Sequence, residues 1–135
     1  MNSEGMKRIT VTCAIIMKEK NILACRRGSD SEHAHEWEFP GGKVEPFETV
    51  EECLIRELKE ELDIEVEISA RLKSVEYDYP LKKIELIPFI CKIVKGEPTP
   101  LEHSKICWLS VYDFEELKWS AADRKLFYTN LNQLL

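Results

Sequence analysis

The chain has 135 residues, 44% of them hydrophobic, with 25 acidic against 19 basic side chains and a net charge of −6. That length suits one domain with a real core, spanning residues 1–135, and is too short to divide comfortably into two. The acidic balance argues against grip on a nucleic-acid polymer through its phosphates. The most apolar stretch, "LIPFICKIV", is broken by Lys92 and falls far below membrane-spanning length.

Nothing near Met1 reads as a secretory leader, so the expected location is the cytoplasm. Five cysteines, Cys13, Cys25, Cys53, Cys91 and Cys107, are odd in number, widely spaced and set among apolar residues without a CxxC pair. They predict buried, reduced thiols rather than disulfides or a zinc site.

In chain order, "ITVTCAIIM" alternates apolar residues at Ile9, Val11, Cys13, Ile15 and Met17, and "KEKN" turns it into "ILACRR", which predicts a β-hairpin. A polar loop, "GSDSEHAHE", leads to "WEFPGG". Thr49 followed by Glu52 fits a capping box and starts a helix, after an irregular approach through Gly41, Gly42 and Pro46. "IEVEISA", "LKSVEYDYP" and "KKIELIPFICKIV" read as strands around a turn at Pro80, "GEPTP" as a loop and "KICWLS" as a short strand. "VYDFEELKW" and "ADRKLFYTNLNQLL" read as C-terminal helices, the second offering Leu126, Phe127, Leu131 and Leu134 to the core. The outline is α/β (α+β), a mixed sheet with helices against it.

The helix after Thr49 poses the chemical question. At about 100° per residue, Val50, Leu54, Leu58, Leu62 and Ile55 make one apolar arc, and Glu61 falls inside it. Glu60 and Glu61 stand three and four residues after Glu57, so three carboxylates are neighbours. Like charges at that spacing repel, and a carboxylate aimed at a core is costly unless something positive joins it. Arg56 offsets part of this and Lys59 points away. A solvated acidic face is the bland explanation. A set of hard oxygen ligands for Mg²⁺ or Mn²⁺ explains the crowding better.

Gly42, Glu48, the run Arg56-Glu57-Leu58 and the pair Glu60-Glu61, closing at Ile64, resemble the signature box of the Nudix hydrolases. Asp63 stands where that box usually has glycine. The glycine ends the helix in a left-handed turn, and Asp is among the few other residues that enter that region at modest cost. "WEFPGGKVE" and the length look like the MutT-type branch. The resemblance implies a Nudix fold, an α/β/α sandwich on a mixed β-sheet with a loop–helix–loop box.

It also implies roles. Glu57, Glu60 and Glu61 match metal-ligating positions, with the Gly41 main-chain carbonyl as a further ligand, and Glu48 and Arg56 match supporting ones. Glu102 resembles a loop glutamate that completes the metal site or helps deprotonate water; an ordinary loop carboxylate is the alternative. His103 beside it is a second candidate, although a lone loop histidine is more often exposed. Hydrolysis of a phosphoanhydride then needs a metal-bound water and no covalent nucleophile, with Glu61 or Glu102 taking the proton. The implied products are nucleoside monophosphate and pyrophosphate.

For the substrate, Arg26 or Arg27 resembles the arginine that reaches phosphate, Glu38 and Phe39 precede the box where the nucleoside lies, and Lys43 is a further phosphate contact. Asp123, in "WSAADRKLF", resembles a base-reading residue and equally fits a carboxylate at a helix N-terminus. "EHSKICWLS" and "WSAADRKLF" look most like the CTP pyrophosphohydrolase branch, with oxidised-dGTP sanitation close behind and ADP-ribose hydrolysis third. A nucleotide sensor that binds without cutting is the rival from another class. Trp119, expected to be exposed, leaves both monomer and homodimer open.

Overall fold

The computed structural model describes residues 7–29 and 33–135, so part of the loop expected after Gly28 lies outside the described residues. β1 (Lys7–Lys18) is the organising strand. Its residues alternate between two cores. Cys13 and Ile15 pack on one side with Ile22, Leu126 and Phe127, while Ala14 and Ile16 pack on the other with Leu54, Leu58 and Leu62. A central strand covered on both faces reads as a continuous apolar run, which is what "CAIIM" is.

The expected hairpin exists only at its tip. β1 and β2 (Asn21–Arg26) pair at Met17↔Ile22 and Lys18↔Asn21. Beyond that they diverge. β1 runs parallel to β7 (Lys82–Lys95), from Lys7↔Lys82 to Ile16↔Cys91, and antiparallel to β4 (Gly41–Lys43). β2 pairs instead with β3 (Trp37–Glu38) and β8 (Lys105–Ser110). β5 (Glu65–Arg71) and β6 (Val75–Tyr79) both lie antiparallel to β7 and complete the mixed sheet. β3 and β4, two and three residues long, are strands the sequence reading did not resolve, because period-2 patterning needs more residues than they have.

α1 (Val50–Leu62) covers one face. Its capping box forms as the sequence predicts: Thr49 Oγ1 accepts from the Glu52 N–H at 3.0 Å and Glu52 Oε1 accepts from the Thr49 N–H at 2.8 Å. At the other end Asp63 takes the left-handed conformation, φ 55°, and its N–H donates to the Lys59 carbonyl at 3.1 Å. The buried arc is rotated from the expected one. Ile55 is 40% exposed and Cys53, on the opposite edge, is buried, because the helix leans toward β4 rather than squarely onto the sheet. Leu54, Leu58 and Leu62 are fully buried, each contributing about 1.5–3 kcal/mol.

The other face carries a 3₁₀ helix (Val111–Glu116), α2 (Ala121–Thr129) and a short α3 (Leu131–Leu134). The two expected C-terminal helices are therefore shorter and broken. The break at Asn130 has a cause: its Oδ1 accepts the Lys73 N–H at 2.9 Å, and its Nδ2 donates to the carbonyls of Lys73 and Leu126. This side chain clamps the β5–β6 connection instead of continuing the helix. Trp119 is buried, not exposed: its ring stacks on Phe114 and its indole N–H donates to the Phe114 carbonyl at 2.8 Å. It therefore offers no dimer surface. No helix among the described residues is long and apolar enough to cross a membrane.

Candidate active site

A cleft of about 340 Å³ opens where β1, β3 and β4 meet the C-terminal half of α1, the segment before β8 and the start of α2. Small-molecule sites usually begin near this size, about 300 Å³. Its walls include Arg27, Glu38, Phe39, Gly41, Lys43, Glu61, Glu102, His103 and Asp123. Most of the residues singled out in the sequence thus converge. Arg26 does not; its Nε donates to Ser104 Oγ at 3.1 Å on the outside of the strand, and it is Arg27 that reaches the cleft. Along a strand neighbouring side chains face opposite ways, so only one of the pair can point inward.

The box assembles through Arg56. Its Nε and Nη2 grip both oxygens of Glu48 at 3.0 and 2.8 Å, and its Nη1 donates to Glu57 at 2.8 Å and Glu60 at 3.2 Å. That fork holds the Glu48 carboxyl down at about 2. A planar guanidinium satisfies this geometry and a lysine ammonium does not. Glu60 remains exposed on the outer edge of the helix, whereas Glu57 lies over Gly42. A Cβ on Gly42 would sit 2.3 Å from the Glu57 carboxyl carbon, so the second glycine of the pair makes room for that carboxylate. Gly41 serves the backbone instead: at φ 153°, its Cβ would stand 2.0 Å from the Thr12 carbonyl of β1.

Glu61 is the unusual member. It is buried, and its Oε1 has no hydrogen-bond partner among the described residues. Burial, then the adjacent Glu57 carboxylate, with Glu38 and Glu102 beyond it, pushes its carboxyl up to about 10. A carboxylate in this position calls for a positive charge, and Arg56 is already engaged by Glu48, Glu57 and Glu60. The donor set consists of hard oxygens, which fits a divalent cation such as Mg²⁺. Among the described residues no three acidic, histidine or cysteine side chains stand converged on one point, since Arg56 draws Glu57 and Glu60 toward itself.

Opposite the box, Glu38 is held between Arg27 Nε at 2.8 Å and His103 Nε2 at 2.9 Å. For His103 the sequence left open a helper beside Glu102 or an exposed loop histidine. Its side chain is 7% exposed and its Nε2 also lies 3.9 Å from Glu61 Oε1, so it belongs to the wall that carries Glu102. At the floor, Asp123 accepts the Phe39 N–H at 2.9 Å and the Ser120 hydroxyl, and burial followed by the Glu38 charge raises it to about 7. Asp123 is both the third residue of α2, behind the Ser120 cap, and part of the cleft. Ser120 and Tyr79 also line the cleft and went unnoticed in the sequence. The Ser-x-x-Asp spacing before an apolar run was a signal for the first; Tyr79 had none, because β6 reaches the cleft only through tertiary packing.

The NUDIX domain family matches residues 6–130 of this chain. Over 107 residues the chain is 36% identical to 8-oxo-dGTP diphosphatase of Escherichia coli (strain K12), a match covering 78% of this chain and 83% of that one. It is 35% identical over 118 residues to CTP pyrophosphohydrolase of the same organism, with 87% of each covered. A MutT NUDIX hydrolase structure from Burkholderia pseudomallei shares the fold with a TM-score of 0.82 and 25% identity, over 90% of this chain and 97% of that one. With the box glutamates, their arginine and the mixed sheet that presents them all in place, the chain belongs to the Nudix family and is a hydrolase of phosphoanhydride bonds.

Proposed function

We propose that this hydrolase converts a nucleoside triphosphate to nucleoside monophosphate and pyrophosphate with Mg²⁺, or Mn²⁺ in its place. The carrying observation is Glu61: a buried carboxylate with an unpaired oxygen at the wall of a cleft that also presents Lys43 and Arg27. Glu57, Glu60 and Glu61 would hold the cation, with Glu102 and the Gly41 carbonyl as further ligands. When bound, it would neutralise phosphate oxygens and acidify a bound water. Arg56 orients Glu57 and Glu60 through its hydrogen bonds to both. Lys43 and Arg27 line the side where the phosphates lie, and Glu61 or Glu102 accepts the proton of the attacking water.

The base then rests toward Phe39 and Asp123. With its carboxyl near 7, Asp123 is about half acid at neutral pH and in that form donates to a carbonyl oxygen of an oxidised purine. The similarity to 8-oxo-dGTP diphosphatase of Escherichia coli supports 8-oxo-dGTP as the first reading, against the order suggested by the C-terminal segments. CTP stays as the second reading because ionised Asp123 accepts from the cytosine amino group. The test is pyrophosphate release in Mg²⁺ across 8-oxo-dGTP, dGTP, CTP, dCTP and ADP-ribose, compared by kcat/KM. An 8-oxo-dGTP preference supports the first reading and a cytosine preference the second. Turnover of ADP-ribose alone would overturn both.

A further inference from the structure

A second cavity of about 340 Å³ lies at the far ends of β1 and β7, away from the box. Lys18, Lys92 and Lys95 line it with a single acid, Glu97, so it is locally positive on a chain of net charge −6. Lys92 carries no ion pair among the described residues, and the Lys95–Glu65 pair at 3.6 Å is solvent-exposed and weak. Trp108 is 37% exposed, and Lys18 Nζ lies 5.9 Å from its ring centre. Val94, 56% exposed, extends the apolar wall.

A flat aromatic face beside ammonium groups that are only weakly engaged suits a ligand with a planar ring at one end and a phosphate at the other. The cavity holds one such unit, and the overall negative charge disfavours a long polyanion. Its floor also leads somewhere. Gly96 adopts φ 93°, and a Cβ there would stand 2.8 Å from the Asp63 carbonyl. From Gly96 the chain crosses the C-terminus of α1, where the Thr99 N–H donates to the Leu62 carbonyl at 2.9 Å and the Leu101 N–H to the Glu61 carbonyl at 3.0 Å. The next two residues are Glu102 and His103, which line the catalytic cleft.

We propose that the Lys18–Lys92–Trp108 groove is an effector site for a free mononucleotide, coupled to the catalytic cleft through residues 96–103. Binding stands on the groove alone; the effector role rests on the hydrolase reading above. The experiment follows the tryptophan indole N–H resonances in EDTA during titration with guanosine monophosphate, with a dT oligomer as a separate arm. Trp108 reports the groove. Trp119, tilted against Phe39 at 4.7 Å, reports the catalytic cleft. The expected result is a saturable Trp108 shift that Lys18→Ala/Lys92→Ala weakens by at least about tenfold while the Trp119 response persists. In Mg²⁺, the nucleotide then changes kcat of the parent and leaves kcat of the double variant unaltered. A Trp108 signal that stays still, or moves equally in the variant, overturns the site. Tighter binding of the oligomer makes it a polymer site instead, and binding without any change in kcat removes the effector role. Because the shift is read without turnover, its loss is distinct from failure of the hydrolase reading.

Discussion

Replacing Glu61 with glutamine removes one charge and almost no volume, and the structure assigns this change opposite effects on stability and on activity. In the unfolded chain the carboxyl ionises near its ordinary value, about 4.3. In the fold it is pushed up to about 10, first by burial and then by Glu57. Folding at pH 7 without a cation therefore takes up a proton, which costs about 4 kcal/mol from the gap between pH 7 and the unfolded pKa at 1.36 kcal/mol per unit. For a group raised in the fold, the stabilising contribution is fully present below the unfolded pKa and is lost as pH rises toward the folded one. Glutamine has no such dependence. Glu61→Gln is thus expected to come close to the parent near pH 4.5 and to exceed it by about 4 kcal/mol at pH 7 in EDTA, a Tm gain of roughly 10–15 °C for a chain of this size. Scanning calorimetry at the two pH values reads this directly. In Mg²⁺ the order should narrow or reverse, because cation binding stabilises the parent more, and turnover of the variant should fall by about 10²–10⁴-fold. A variant that melts at or below the parent at pH 7 in EDTA would show that Glu61 is not an isolated buried carboxyl, and the metal-site argument built on it would fail.

Three further substitutions test neighbouring parts of the site. Gly42→Ala sets a methyl group against the Glu57 carboxylate, the movable end of a side chain; kcat should drop at least about tenfold with Tm changed by only a few degrees, since a displaced surface carboxylate costs about 1 kcal/mol or less. If activity survives, Glu57 has no required place over that glycine. Arg56→Lys keeps the charge but breaks the paired grip on Glu48, and isothermal titration should show Mn²⁺ affinity weakened by about 10–100-fold; unchanged affinity would mean that the fork does not orient the ligands. With Asp123 at about 7, protonated below that value and ionised above it, kcat/KM for 8-oxo-dGTP should fall as pH rises through 7. For CTP it should rise over the same range. Asp123→Asn should abolish both inflections; their persistence would assign the titration to another group.

α1 and its chemistry are legible along the chain, because everything needed there is local. Thr49 and Glu52 cap each other, spacings of three and four bring Glu57, Glu60 and Glu61 together, and Asp63 closes the helix in a left-handed turn, all within fifteen residues. The same locality put Glu61 inside the apolar stripe, the feature from which the metal argument starts. Tertiary structure decided what depends on partners distant in the chain. β1 pairs over most of its length with β7, which lies some seventy residues away, so the local signal of a hairpin described only its last two residue pairs. Whether Arg26 or Arg27 enters the cleft follows from which face of β2 packs inward, set by β3 and β8. Trp119 and His103 look like surface residues until Phe39 and Glu38 arrive from a distant segment to cover them. Asp123 acquires its raised pKa, and with it a choice of base, from burial in the assembled cleft and from the charge of Glu38, 85 residues earlier in the chain. Ionisation and burial are properties of an environment assembled from several strands, and a one-dimensional pattern carries only the part of that environment lying within a few residues.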